Sequence, residues 1–195
     1  DVRFIGNASS GRMGYAVAAT AARAGHRVDL VSGPVALKPP EGVRLISVVS
    51  AQEMYRAAAR LFPAADCLVG AAAPADFRPA ARAPGKPKKS SATRTLRLVP
   101  TVDILAALGG RKKKRQTIVA FALEVRSPLA NALEKMQRKN ADAIVVNRPD
   151  AMGAPRSSAT ILPRGGERIV LRNAPKYVIG RRIVALAEKL HAPRA

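Results

Sequence analysis

The sequence predicts an α/β fold: a three-layer, Rossmann-like, mostly parallel sheet with helices on both faces and a late β-hairpin. Three observations predict it. Short β-type runs alternate with helical stretches over most of the 195 residues. The run "DCLVGAAA" (66–73) is continuously apolar, as a strand covered on both faces requires. Aromatics make up only 4% and Trp is absent, so Ala and Val must fill the core, which suits close-packed layers.

The elements follow in order. "VRFI" (2–5) reads as a short strand, and "MGYAVAATAARAG" (13–25) as an Ala-rich helix that Gly25 can end. "HRVDLVSGP" (26–34) is a strand closed by Gly and Pro. "VRLISVVS" (43–50) is another, and Ser50 with Glu53 forms a capping box for the helix 51–62. The strand 66–73 leads into a proline-rich, basic stretch, 74–91, read as a loop whose part 80–94 forms a flap. "TLRLV" (95–99) is a strand and "VDILAALGG" (102–110) a short helix. "RKKKR" (111–115) reads as a solvated turn. A strand (117–123), a helix (128–140) and a strand (141–147) come next. "SATILPRGGERIVL" (158–171) is a hairpin turning at Gly165-Gly166, and 177–190 is an amphipathic terminal helix. Ligands of such sheets bind at the carboxyl ends of the strands, here 6–12, 72–86, 122–126 and 147–157.

Length predicts a single domain over 1–195. The formal charge of +21 attracts anions, whether nucleotides, phosphorylated metabolites or nucleic acid. A general habit of using Arg explains the charge equally well. Cys67 is the one cysteine; it lies in an apolar run and reads as a core residue in a reducing, cytoplasmic setting. No apolar run approaches the ~18 residues of a membrane span, so no membrane role is expected.

The stretch "FIGNASSGRMG" (4–14) nearly matches a phosphate-binding loop. Arg12 stands where a Walker loop needs Lys, and Met13 where it needs a hydroxyl for Mg²⁺, which argues against a nucleoside triphosphatase. The stretch is still suited to anions. Gly6 and Gly11 admit close backbone approach, Ser9 and Ser10 offer hydroxyls, Arg12 adds a cation, and the amides open a helix. A Ser-capped helix after a turn explains the Ser and Gly residues, but not Asn7 and Arg12 together.

This loop is followed, in order, by "LVSGPV" (30–35), "SAQEM" (50–54), "AAAPADFRP" (71–79), "KPKK" (86–89), "DIL" (103–105), "FALE" (121–124) and "IVVN" (144–147). Together they resemble the phosphopantothenate–cysteine ligase (phosphopantothenoylcysteine synthetase) family of coenzyme A biosynthesis. The resemblance runs from Val2 to the terminal helix. It implies a Rossmann-like homodimer that joins 4′-phosphopantothenate to cysteine through an acyl-nucleotide, with CTP expected ahead of ATP and Mg²⁺ as cofactor. It implies that Ser9, Ser10, Gly11 and Arg12 hold the triphosphate. Asn7 would contact the pantothenate side and serve the second step. Ala72, Ala73 and Asp76 would lie around the nucleotide and its metal, Asp76 being the candidate Mg²⁺ ligand. Lys86 would be the essential flap cation. Phe121 would lie near the base, and Asn147 would match a substrate-side Asn. It further implies a first strand ahead of Asp1, with a "GPTRE"-like turn, and a possible fusion to a flavin-dependent decarboxylase. Arg12, Pro74 and Phe77 replace commoner Lys, Val and Tyr or Trp. Arg148 stands where an Asp often follows the Asn, so no acidic role is carried over there. "VPTVDIL" (99–105) also departs from the family form, and Thr101 is given no role.

The chemistry needs no histidine base. His26 and His191 are the only two, and neither is placed for catalysis. A carboxylate nucleophile is already ionised at neutral pH. What remains is to bring anions together and stabilise charge on phosphate oxygens. A flap carrying Lys86 could close over the nucleotide and exclude water; a solvated basic linker is its plain alternative. Asp76 could instead cap its turn, Asp103 could open a helix, and Asn7 could make a local Asx turn.

Two other readings stand beside this one. An NAD(P)-binding oxidoreductase needs G-x-G-x-x-G, where this chain has "GNASSGRMG"; Asp29 alone imitates the ribose-binding acid. A basic nucleic-acid-binding module would draw on "RKKKR" and "KPKK", yet with four Phe and three Tyr there is little to stack bases. Non-specific polyanion binding is expected as incidental.

Overall fold

The computed structural model describes residues 4–81, 85, 88, 93, 95–123, 128–147 and 154–191. Its elements are α1 (Arg12–Arg23), β1 (Val28–Ser32), β2 (Val43–Ser47), α2 (Ala51–Leu61) with a 3₁₀ turn at Phe62–Ala64, β3 (Cys67–Gly70), β4 (Phe77–Pro79), β5 (Leu98–Pro100), α3 (Ile104–Gly109), β6 (Thr117–Leu123), α4 (Pro128–Arg138), β7 (Ala143–Asn147), β8 (Arg156–Pro163), β9 (Ile169–Pro175) and α5 (Lys176–His191).

The aliphatic run of β6 is the most buried strand and sits between β3 and β7, both parallel to it. β8 and β9 extend the sheet as the predicted hairpin, antiparallel to β7 and to each other, giving the order β3-β6-β7-β8-β9. Gly165, at φ 71°, supplies the left-handed residue of its turn. Alternate residues of each strand feed two cores. Val119, Val145 and Ile161 face α1 and α5, meeting Met13, Ile179 and Ile183. Ile118, Ala120 and Ile144 face α2, α3 and α4, meeting Ala58, Leu108 and Met136. These are the three predicted layers.

Local signals act as read. Ser50 Oγ accepts from the Glu53 amide at 3.2 Å, and the Glu53 carboxylate accepts from the Ser50 amide at 3.4 Å, completing the capping box of α2. Burial, then the charges of Asp142 and Asp66, push the Cys67 thiol up to about 12, which fits a core residue rather than a nucleophile.

Several expectations change. Phe4 and Ile5 form no strand; they are 94% and 48% exposed, and residues 2–3 lie outside the described set. A strand needs a neighbour for its amides and carbonyls, and none pairs with these residues among the described ones. β1 and β2 pair with each other in parallel but not with β3, so the sheet is not continuous, and an open groove separates β1 from β3. β3 is half-buried along its length among the described residues. Residues 77–79, read as loop, form β4, which pairs antiparallel with β5 in a small separate ribbon. The solvated turn 111–115 is partly structural: Lys112 is 10% exposed, and its Nζ donates to both Asp142 carboxylate oxygens at 2.8 Å. Asp142 also accepts from the Ile118 amide at 2.7 Å, tying this turn to the amino end of β6.

Candidate active site

The carboxyl ends of β3, β6, β7 and β9 and the amino end of α1 open onto one cleft of about 2410 Å³, which includes the groove between β1 and β3. Asn7, Ser9, Ser10, Gly11, Arg12, Ala72, Ala73, Asp76, Phe121 and Asn147 all line it. The same cleft also runs to Glu188 and His191 at the far end of α5. Lys86 and most of the flap lie outside the described residues.

The loop before α1 is built by Gly11. It is the N-cap, at φ 71°, a conformation only glycine adopts freely. A Cβ there would also lie 3.0 Å from Val35 Cγ1. No side chain caps α1 among the described residues, so Ser9 and Ser10 do not spend their hydroxyls on its first turn. The Ser-capped alternative is set aside. The amides of that turn face the cleft end with a positive helix dipole behind them. Tyr15 OH donates to Ser32 Oγ at 3.3 Å, anchoring this turn to the end of β1.

Asn7 makes no local turn. Its Nδ2 donates to the carbonyls of Pro74 at 3.1 Å and Ala73 at 3.4 Å. Asp76 sits on the turn these residues form, exposed to the cleft. Its own carbonyl accepts from the Thr101 amide at 2.8 Å, while Thr101 Oγ1 donates to Ala75 O at 2.6 Å. Thr101, given no role from the sequence, therefore fixes the turn that presents Asp76. Phe121 lies two residues before the end of β6, and Asn147 ends β7. Asn147 pairs with Ala159 in register, placing its side chain on the face that α1 covers. Its Oδ1 is buried with no hydrogen-bond partner among the described residues.

Asp103, which could open a helix or serve as a ligand, opens α3 and also lines the cleft. It caps α3 through the Ala106 amide at 3.1 Å and pairs with Lys139 at 2.8 Å and Arg138 at 3.1 Å. Burial raises its pKa, but the Lys139 hydrogen bond, the Ala106 amide and both cations outweigh burial and hold the carboxyl below its ordinary value.

No group of three or more metal-ligating side chains occurs among the described residues. Mg²⁺ needs no such cage: one carboxylate and substrate phosphates suffice. Asp76, on a pinned turn in a cleft suited to phosphates, fits that requirement.

Sequence reasoning did not single out Lys176, which also lines the cleft and is 8% exposed. It opens an amphipathic helix, and nothing in the linear pattern separates it from a surface lysine.

Residues 1–190 match the family described as the DNA/pantothenate metabolism flavoprotein C-terminal domain. This chain belongs to that family. Among members of known sequence, a protein named cysteine/cysteine sulfinic acid decarboxylase, from an unknown prokaryotic organism, is 47% identical over 154 residues, 78% of this chain and 43% of that protein. The coenzyme A biosynthesis bifunctional protein CoaBC of Bacillus subtilis (strain 168) is 45% identical over 154 residues, 78% of this chain and 38% of its own length. This flavoprotein-domain chain thus spans about two fifths of the curated relatives it matches. A crystal structure of the C-terminal domain of a CoaBC is 36% identical with a TM-score of 0.82, covering 98% of this chain and 89% of that one. The fold is also shared with a Cab2 mutant in complex with phosphopantothenate-cysteine, at 18% identity and a TM-score of 0.78, over 98% of this chain and 82% of that one.

Proposed function

We propose that this chain is a phosphopantothenate–cysteine ligase domain: it activates 4′-phosphopantothenate with CTP and passes the acyl group to cysteine. The observation that carries the reading is the uncapped amino end of α1, with Ser9, Ser10 and Arg12 beside it, in the same cleft as the turn tied to Asn7. CoaBC relatives named for coenzyme A biosynthesis, whose C-terminal domain has this fold, support it. The decarboxylase name of another relative belongs to a protein of which this chain matches 43%.

In the first step a carboxylate oxygen of phosphopantothenate bonds to the α-phosphorus of CTP. The bond from that phosphorus to the bridging oxygen breaks, and pyrophosphate leaves with the electron pair. In the second, the cysteine amine bonds to the acyl carbon, the carbon–oxygen bond to CMP breaks, and the nitrogen gives up a proton. No strong base is required for the first step, because the nucleophile is already an anion. The Ser9 and Ser10 hydroxyls, the first amides of α1 and the Arg12 guanidinium hold the triphosphate in line for attack. Phe121 packs near the base, and Ala72 and Ala73 shape the wall beside it. Asn7 and Asn147 orient the acyl side, where the Asn147 carboxamide oxygen, without a partner among the described residues, can accept from substrate. Lys86 brings a further cation to the phosphates. Asp76 would hold Mg²⁺, which when bound neutralises phosphate charge.

A homodimer implied by the resemblance would cover the exposed apolar side chains Phe77, Leu96 and Leu98 on and beside the β4–β5 ribbon. No helix among the described residues is long and apolar enough to cross a membrane, and we place the reaction in the cytoplasm. A flavin-dependent decarboxylase fused in the same polypeptide, as in the bifunctional relatives, would consume the product. The acyl-nucleotide tests the mechanism: with CTP and phosphopantothenate but no cysteine, mass spectrometry should find the acyl-cytidylate bound, and added cysteine should discharge it. Product formation without any such species would refute the two-step reading.

A further inference from the structure

The turn 71–76 that follows β3 is gripped from two sides. On one side lies α1 with its leading loop. A Cβ on Gly14 would lie 3.8 Å from Ala71 Cβ, and Asn7 Nδ2 donates to the carbonyls of Ala73 and Pro74. On the other side lies the connector 101–103 between β5 and α3. Gly70, the last residue of β3, makes room for α3: a Cβ there would lie 2.5 Å from Leu105 Cδ1. The connector itself is fixed at both ends. Pro100 pairs with Phe77 in the β4–β5 ribbon, and Asp103 caps α3 and binds Lys139.

Thr101, half-buried in this connector, makes two bonds to the turn. Its Oγ1 donates to Ala75 O at 2.6 Å, and its amide donates to Asp76 O at 2.8 Å. Those two carbonyls belong to the two peptide planes that flank the Asp76 Cα. Each plane is rigid, so only φ and ψ of Asp76 lie between them. Holding both planes from one residue fixes both angles, and with them the direction in which the Asp76 side chain leaves the backbone. Together, Asn7 and Thr101 engage all four carbonyls of 73–76. Four partial negative charges are thereby taken up by the protein rather than left bare beside a phosphate. The Asp76 carboxylate, by contrast, makes no hydrogen bond or ion pair among the described residues, and Asp76 lines the cleft.

We propose that Thr101 is a positioning residue for the divalent cation of the nucleotide: its hydroxyl and amide set the direction of Asp76, and so how well that one carboxylate holds a cation carried by the triphosphate. This rests on the nucleotidyl-transfer reading above and on Asp76 as the ligand. A single protein carboxylate makes the placement matter. Mg²⁺ demands near-ideal octahedral geometry and takes its other oxygens from phosphate and water. An Asp76 free to turn about φ and ψ would lose affinity to the entropy of being fixed on binding. Thr101 removes that cost before the nucleotide arrives. The hydroxyl is the part that only Thr or Ser supplies at this length, whereas the amide bond survives any substitution except proline.

The test titrates CTP by calorimetry into wild type, Thr101→Val, Thr101→Ser and Asp76→Asn, once with Mg²⁺ and once with the metal chelated, and records Tm for each protein. Thr101→Val keeps the β-branched shape and loses the hydroxyl. It should weaken Mg²⁺–CTP by about fivefold and leave metal-free CTP within about twofold, while Thr101→Ser stays near wild type. The double variant Thr101→Val/Asp76→Asn should lose no more than Asp76→Asn alone, because Thr101 acts through Asp76. Unchanged Mg²⁺–CTP affinity in Thr101→Val overturns the proposal. So does an equal loss with and without metal, the mark of a residue that only shapes the fold, and so do losses that add in the double variant. If Mg²⁺ brings wild type no gain in CTP affinity, or Asp76→Asn keeps the whole gain, Asp76 is not the ligand and the proposal falls with it. If Mg²⁺–CTP binding behaves as predicted but no acyl-nucleotide forms with phosphopantothenate, the nucleotidyl-transfer reading fails while the role of Thr101 stands. Should Thr101→Val not fold, Thr101→Ala is read by the same comparison.

Discussion

Asn7 Nδ2 donates to the carbonyl oxygen of Pro74 at 3.1 Å, joining two loops that lie 67 residues apart. One loop opens α1 and carries Ser9 and Ser10; the other follows β3 and carries Asp76. The side-chain amide of Asn7 donates to the protein at the edge of the cleft. Asn7→Asp would set a carboxylate against the Pro74 and Ala73 carbonyl oxygens, which repel it. We expect product formation to fall more than pyrophosphate release, with acyl-nucleotide accumulating, because the role proposed for Asn7 is to orient the acyl side. Rapid-quench measurement of both products checks this. Parallel loss of both, with no acyl-nucleotide, would remove Asn7 from the second step.

Gly11 combines a left-handed backbone with a tight contact to Val35. Gly11→Ala should therefore cost about 1–2 kcal/mol of backbone strain. Thermal unfolding should shift by about 2–4 °C per kcal/mol for a chain of this size. CTP affinity should fall as well, since the α1 amides move with the loop. A variant with the wild-type Tm and CTP affinity would show that the left-handed residue does not shape the site.

Asp103 predicts a pH dependence. Its carboxyl is held below the ordinary value when folded, so its charge stabilises the fold above the unfolded pKa and loses that effect as pH falls through the folded one. Asp103→Asn keeps a capping side chain but removes the charge. The Tm gap between wild type and variant should be steady from pH 7 down to about 5 and narrow below about 4. A gap that stays constant down to about pH 3 would mean that the ion pairs with Lys139 and Arg138 contribute nothing.

Lys86 lies outside the described residues; the family resemblance implies that it is the essential flap cation, and that is the role proposed for it. Lys86→Ala should lower the rate on the order of 10²-fold or more, as loss of a charge partner to the transition state does. Steady-state kinetics decide it, and a near-normal kcat would exclude Lys86 from the mechanism.

Much of this fold is legible in the sequence because its signals are local. The aliphatic run of β6, the Gly165 turn of the hairpin and the Ser50–Glu53 box each declare themselves within a few residues. β4 does not. Three residues between prolines become a strand only because β5 pairs with them, and pairing is a long-range fact. The cleft residues were found together because strand ends of a parallel sheet converge on one side. Lys176 was not, because its place at the cleft follows from α5 packing against α1, which no local pattern announces. Thr101 was missed likewise, since its hydroxyl acts on Ala75, a residue far back in the chain.

Pyrophosphate release tests the central claim most directly. The protein is supplied with CTP, Mg²⁺, 4′-phosphopantothenate and cysteine, and release is followed with each component omitted in turn. The account predicts steady release that stops when phosphopantothenate is left out, because its carboxylate is the nucleophile. Release that continues unchanged without phosphopantothenate, or none with either CTP or ATP when every component is present, would contradict it.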